Sequence, residues 1–181
     1  MAGLVSVRFE GINYMTTTEP NEAVESPFDK ARHKLVAARI EFMGQLAKLS
    51  KDELTQRPIK GEWSPLQLAH HLYITDGLAL EQMKRVQNED NPMIVNTGEQ
   101  SPRLTEASEP PFSLDAVLAG MAARREELFE YLSSLPTNAW NRPFQHPEWG
   151  NREFYQLVNV LPAHDQMHSQ QLIKIKAAMQ G

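Results

Sequence analysis

Leu157-Val158-Asn159-Val160-Leu161-Pro162-Ala163-His164-Asp165-Gln166-Met167-His168-Ser169-Gln170-Gln171-Leu172-Ile173-Lys174-Ile175 carries Leu157, Leu161, His164, His168, Leu172 and Ile175 in steps of three and four. That spacing marks one face of an α-helix, so both imidazoles interrupt a stripe that should pack on a core. Two inward histidines one turn apart supply half of a metal site. The plain alternative is a pair of core histidines, each hydrogen-bonded to a carbonyl or a buried water. A third ligand would separate the two readings. Asn151 is placed to cap this helix, predicted over about 152–178, and Pro162 predicts a lost backbone hydrogen bond and a kink just before His164.

Working back along the chain, three more helices announce themselves by their starts. Ser26-Pro27-Phe28-Asp29 offers an N-cap, a proline in the first turn and an acid to match the helix dipole, and predicts helix one over about 27–48. Ser50 to Leu54 has capping-box order but is cut short by Pro58, leaving a turn or two. Ser64-Pro65-Leu66-Gln67 repeats the cap with glutamine at the reciprocal position, and Leu66, Leu68, Leu72, Ile74, Leu78, Leu80 and Met83 carry helix two to about Gln87. Ser113-Leu114-Asp115 opens helix three, with Val117, Leu118, Met121, Leu128, Phe129 and Leu132 inward, Arg124 to Glu127 mostly outward, and Pro136 past its end. The segment of about two dozen residues between helices two and three is too long for a simple connection and either crosses the bundle or lids a site. The expected fold is therefore all-α, a four-helix bundle with a long crossover connection between helices two and three. Residues 26–181 form the bundle domain, and 1–25, without helical periodicity, form a mobile N-terminal extension or follow an upstream start.

At 181 residues the chain fits one domain with a core large enough to need no staples. It has no cysteine, which excludes zinc ribbons, thiol nucleophiles and disulfide frameworks, so any metal must be held by nitrogen and oxygen. Eighteen basic residues against 23 acidic ones give a net charge of −5 with no dense basic block, which argues against a nucleic-acid partner. Residues 1–7 lack a basic n-region and no stretch has the apolar length of a membrane span, so the chain reads as a cytoplasmic protein without a membrane partner.

Helix two offers two candidates for the third ligand. His70 and His71 are about 100° apart around the helix, so only one can face the bundle axis squarely, and each has apolar neighbours on its own stripe. Periodicity leaves both open. Gly61-Glu62-Trp63-Ser64-Pro65, His71-Leu72, His146-Pro147-Glu148-Trp149-Gly150-Asn151 and His164-Asp165-Gln166-Met167-His168 with Gln171 beyond, taken in that order, resemble the DinB-like (DinB/YfiT) family of metal-binding four-helix bundles. The resemblance covers about residues 27–178. It implies a three-histidine metal site at His71, His164 and His168, with His70 as the fallback for the first position, and a homodimer.

Three neutral imidazoles would leave a divalent ion open to water or substrate, a catalytic rather than a closed arrangement. Zinc or nickel suits such donors best, with iron, manganese or copper as alternatives. The resemblance implies two enzyme chemistries on a small-molecule substrate: hydrolysis, or transfer and isomerisation with a low-molecular-weight thiol, as in the bacillithiol and mycothiol branches. A non-catalytic small-molecule-binding bundle with a vestigial site is the competing class. No Glu-x-x-His pair, His-Glu-x-x-His, glycine-rich phosphate loop or Gly-x-Ser-x-Gly elbow is present. Asp165, about 100° from His164, is expected to support the ligands rather than join them. Trp63 is expected to staple the start of helix two, while His146 and Trp149 either line the site's mouth or belong to a turn. His33 should face solvent. Tyr73 and Tyr155 should pack with wet hydroxyls. The loop at 90–112 is the expected seat of substrate specificity.

Overall fold

A computed structural model describes residues 25–96 and 113–180. Its helices are α1 (Pro27–Leu46), α2 (Pro65–Asn88), α3 (Leu114–Ser134) and α4 (Phe154–Gln180), with short 3-10 turns at Glu53–Thr55 and Thr137–Asn141. The fold is a four-helix bundle. The proposed N-terminal extension up to residue 24, and residues 97–112 of the long loop, lie outside the described residues.

The cap signals act as their chemistry dictates. The Ser26 and Ser113 hydroxyls accept from the backbone amides of Asp29 and Ala116, and Ser64 and Gln67 close a full capping box. Helix four departs from expectation. Asn151 does not cap it; Asn151 lies in a strand, and the helix begins at Phe154, where the Gln156 side chain accepts from the Glu153 amide at 2.9 Å. The helix runs on through Pro162.

The strand is part of a hairpin that the all-α reading did not contain. β1 (Pro143–His146) pairs antiparallel with β2 (Gly150–Glu153), His146 opposite Gly150. Gly150 turns the chain at φ 69°, in the left-handed region that glycine enters at little cost. Ile94 N donates to Gln145 O at 2.8 Å and Gln145 N to Pro92 O at 2.9 Å, which lays the segment after α2 beside β1. Arg142 reaches back to the carbonyls of Val86 and Glu89, both at 2.9 Å, and caps the end of α2. The hairpin is thereby tied to the bundle where α4 begins.

The core falls into two apolar halves. One gathers Leu35, Met83, Leu128, Leu132, Phe144 and Phe154, the other Phe42, Leu68, Leu72, Met121, Leu172 and Ile175. Between them lies a charged layer with one residue from each helix: Arg39, Asp76, Arg125 and Asp165, all buried. Arg39 grips Asp165 through Nε at 3.0 Å and Nη2 at 2.8 Å, and Nη2 also meets Asp76 at 3.0 Å. Arg125 Nη2 donates to Asp76 at 3.1 Å and to Asp165 at 3.2 Å. Burial works against the Arg39 charge, yet the two carboxylates outweigh it and hold the guanidinium above its ordinary range. Arg125 thus corrects the expectation that Arg124 to Glu127 face mostly outward.

A signal for this layer exists in the sequence. Arg39 sits four after Leu35 and three before Phe42, Arg125 four after Met121 and three before Leu128, Asp76 four after Leu72, and Asp165 four after Leu161. Each occupies a core position of its helix, by the same periodicity that singled out the histidines.

Candidate metal centre

The three-histidine cluster forms one wall of this middle layer. His71 comes from the second turn of α2, His164 and His168 from successive turns of α4, and each offers a ligand atom within 4.8 Å of the others. The Nε2 atom of His164 lies 3.2 Å from Nε2 of His71 and 3.0 Å from Nε2 of His168. Two nitrogens bonded to one tetrahedral ion at ~2.0–2.1 Å are about 3.4 Å apart, and somewhat closer on an octahedral one, so the spacing fits a shared cation. His70, one residue away, turns from this point and stacks on Tyr73 with ring centroids 6.2 Å apart. Both helix-two histidines are buried, but only His71 meets the α4 pair.

Burial and the neighbouring imidazoles push the His71 ring down to about 3, and burial, then His168, does the same to His164. His168 is lowered by burial as well. All three rings are therefore neutral at pH 7, each with one ring nitrogen free of a proton, the charge state a metal requires.

His168 is also held in the correct tautomer. Its Nδ1 lies 2.9 Å from Oε1 of Gln171, and the Gln171 amide donates through Nε2 to the Glu62 carboxylate. The carboxylate can only accept, which fixes the amide oxygen toward His168. That oxygen takes the Nδ1 proton, leaving Nε2 bare and aimed at the cluster. Losing such a support typically weakens metal binding by ~10–100-fold, so Gln171→Leu is expected to lower metal affinity by that factor while circular dichroism stays unchanged. An unchanged affinity in a metal titration would remove Gln171 from the site.

Asp165, expected to support the ligands, instead directs its hydrogen bonds to Arg39 and Arg125. Trp63 lies closer to the chemistry than the staple reading placed it, with its ring 4.6 Å from that of His71 and stacked at 6.2 Å on His168. The aromatic wall and the Gln171–Glu62 contact both come from Gly61-Glu62-Trp63, a segment whose direction periodicity cannot give because it precedes the helix. His146 and Trp149 stack at 3.7 Å beside the hairpin turn and line a cavity that also touches His164. His33 is exposed and pairs with Glu25 at 2.8 Å. Tyr73 packs between α2 and α3, against Gly120 and beneath Arg124, whereas Tyr155 is exposed.

Taken together, these features describe a helical bundle with a pre-formed cluster of neutral imidazoles. The sequence model of the DinB superfamily matches residues 34–172, and the chain belongs to that superfamily. It is 27% identical over 150 residues to YuaE of Bacillus subtilis (strain 168), an alignment covering 77% of this chain and 93% of that protein. Among solved structures it resembles YfiT from Bacillus subtilis, described as a probable metal-dependent hydrolase with an unusual four-helix bundle topology. That match has a TM-score of 0.67 at 18% identity and covers 89% of this chain and 93% of YfiT. It also resembles TT2238, a four-helix bundle protein, with a TM-score of 0.58 at 21% identity over 81% of this chain and 98% of that one. No described helix is long and apolar enough to cross a membrane.

Proposed function

We propose that His71, His164 and His168 hold one divalent ion through their Nε2 atoms, zinc or nickel before iron or manganese, and that the protein is a metal-dependent enzyme acting on a small molecule. The convergence of three neutral imidazoles, one ligand atom of each within 4.8 Å of the others, carries this reading, because that spacing suits donors that share one ion. YfiT's description as a probable metal-dependent hydrolase supports it at the level of the fold. An ion bound there supplies Lewis acidity and acidifies water or a low-molecular-weight thiol at its open side, which serves hydrolysis and S-transfer alike. The chain's own part is to keep the rings neutral by burial, to orient His168 through Gln171 and Glu62, and to wall the centre with Trp63. Residues 26–181 as one domain, a homodimer and a cytoplasmic location belong to the same proposal.

The test is the metal content of protein purified without an affinity tag or chelator. About one divalent ion per chain is expected for a single three-donor site, falling to none in His164→Ala/His168→Ala. If the folded wild type takes up no ion even after reconstitution, the enzyme reading fails and a non-catalytic binding role replaces it.

A further inference from the structure

The half-enclosed cavity of about 250 Å³ that touches His164 has a composition that selects its occupant. Ile94, Leu157, Val160, Leu161 and Met167 make its walls, and no lysine, arginine, aspartate or glutamate lines it among the described residues. Polar groups gather at Gln82, Asn96 and His146, and these are already engaged. Gln82 Nε2 donates to Val95 O at 2.7 Å. His146 Nδ1 accepts from the amides of Glu148 at 3.2 Å and Trp149 at 3.3 Å, so Nε2 bears the proton and donates to Asn96 Oδ1 at 3.1 Å. The Asn96 amide then points its Nδ2 at the exposed Glu148 carboxylate, 3.3 Å away. The polar end is a locked hydrogen-bond network of uncharged side chains, Asn96 and His146, stacked on by Trp149 and closed on the outside by the Glu148 carboxylate, and among the described residues no lysine or arginine lines it.

We infer that this cavity is the substrate pocket of the three-histidine centre and that it takes an uncharged, largely apolar molecule whose reacting polar atom lies at the His164 end. The inference rests on the metal reading above and adds the substrate class to it. A carboxylate pushed among these walls would be desolvated with no cationic partner among the described residues, an expense apolar contact does not recover. The volume lies just below the usual range of ligand pockets, ~300–1,000 Å³, which fits an aryl or short alkyl group. In thiol-transfer chemistry this is the place for the apolar acceptor rather than for a thiol that carries carboxylates.

Hydroxamates test both layers, since their head group chelates a metal and their tail explores the pocket. Acetohydroxamic, benzohydroxamic and 4-carboxybenzohydroxamic acids would be titrated into the zinc-loaded protein by calorimetry. Benzohydroxamate is expected to bind at least about tenfold tighter than acetohydroxamate, from burial of its ring, and the carboxylate is expected to forfeit that gain. Val160→Lys, which puts a cation on the half-buried wall, should narrow or reverse the preference for the neutral ring over its carboxylate while leaving zinc content unchanged. If the protein takes up no zinc, the metal reading falls and the pocket assignment with it; if the zinc-loaded protein binds none of the three hydroxamates, the pocket assignment falls while the metal site stands. If acetohydroxamate binds but the phenyl ring adds nothing, or its gain survives the carboxylate, the pocket assignment alone is overturned. The wild-type series decides this even if Val160→Lys fails to fold.

Discussion

Arg125→Met is expected to destabilise the protein by about 3–5 kcal/mol, the cost of removing one partner from a buried ion network. Arg39 would remain as the single cation facing Asp76 and Asp165, so one negative charge would be left in the middle of the bundle with no water to solvate it. For a chain of this size the loss corresponds to a fall in Tm of roughly 10 °C. The penalty arises from charge imbalance rather than from the worth of the contacts. Nη1 of Arg39 and both Nε and Nη1 of Arg125 have no hydrogen-bond partner among the described residues, which makes the layer poorly satisfied as a source of stability. Arg125→Met/Asp76→Asn, which leaves Arg39 paired with Asp165, should therefore recover a large part of the loss. A double variant as unstable as the sum of the two single ones would show that shape, not charge balance, sets the penalty.

The same variant has a pH signature. Burial pushes the Asp76 carboxyl above its ordinary value even in the wild type, opposed by Arg125 and then Arg39. Taking Arg125 away removes the stronger opposing charge and raises it further. Between the unfolded value near 3.8 and that raised value, the folded state binds more protons than the unfolded state, so stability falls as pH rises through the window. The gap between Arg125→Met and wild type should consequently shrink as pH is lowered from 7 toward 5. A gap that is constant or widens on acidification would place the lost stability elsewhere.

How these features could be read beforehand depends on the range of the physics behind each. Caps and helix starts are settled within four residues, and Ser26, Ser64 and Ser113 cap as their neighbours dictate. The histidine stripe of α4 was legible because i, i+4 on an apolar face is local too. Arg125 was not read because its partners lie 49 and 40 residues away, and a charged pair inside Arg124-Arg125-Glu126-Glu127 looks like solvated surface until the stripe through Met121 and Leu128 is followed. The hairpin escaped because four residues per strand, only Phe144 and His146 of them buried, give period two almost no length to show itself. Asn151 fits a helix cap and a strand equally well by residue type. Register with β1, which places it opposite Gln145, decides between them.

His71→Ala and His70→Ala, adjacent and both buried, should divide the two roles that periodicity left joined. If loss of a supporting partner such as Gln171 already weakens metal binding by ~10–100-fold, loss of a direct donor should exceed that, so His71→Ala is expected to lower affinity by more than about a hundredfold. Its helical content should survive, because the helix start rests on the Ser64–Gln67 capping box, one to two turns earlier. His70→Ala should behave in the opposite way. It removes the ring stacked on Tyr73 at the α2–α3 contact and so costs stability, about 1 kcal/mol by the usual range for such substitutions, while zinc still binds one per chain. Competition against a chromogenic chelator, run beside thermal unfolding of each variant, reads both quantities. Equal loss of zinc from the two variants, or loss from His70→Ala alone, would mean that α2 does not present His71 to the α4 pair as drawn, and the donor set would have to be assigned again around His70.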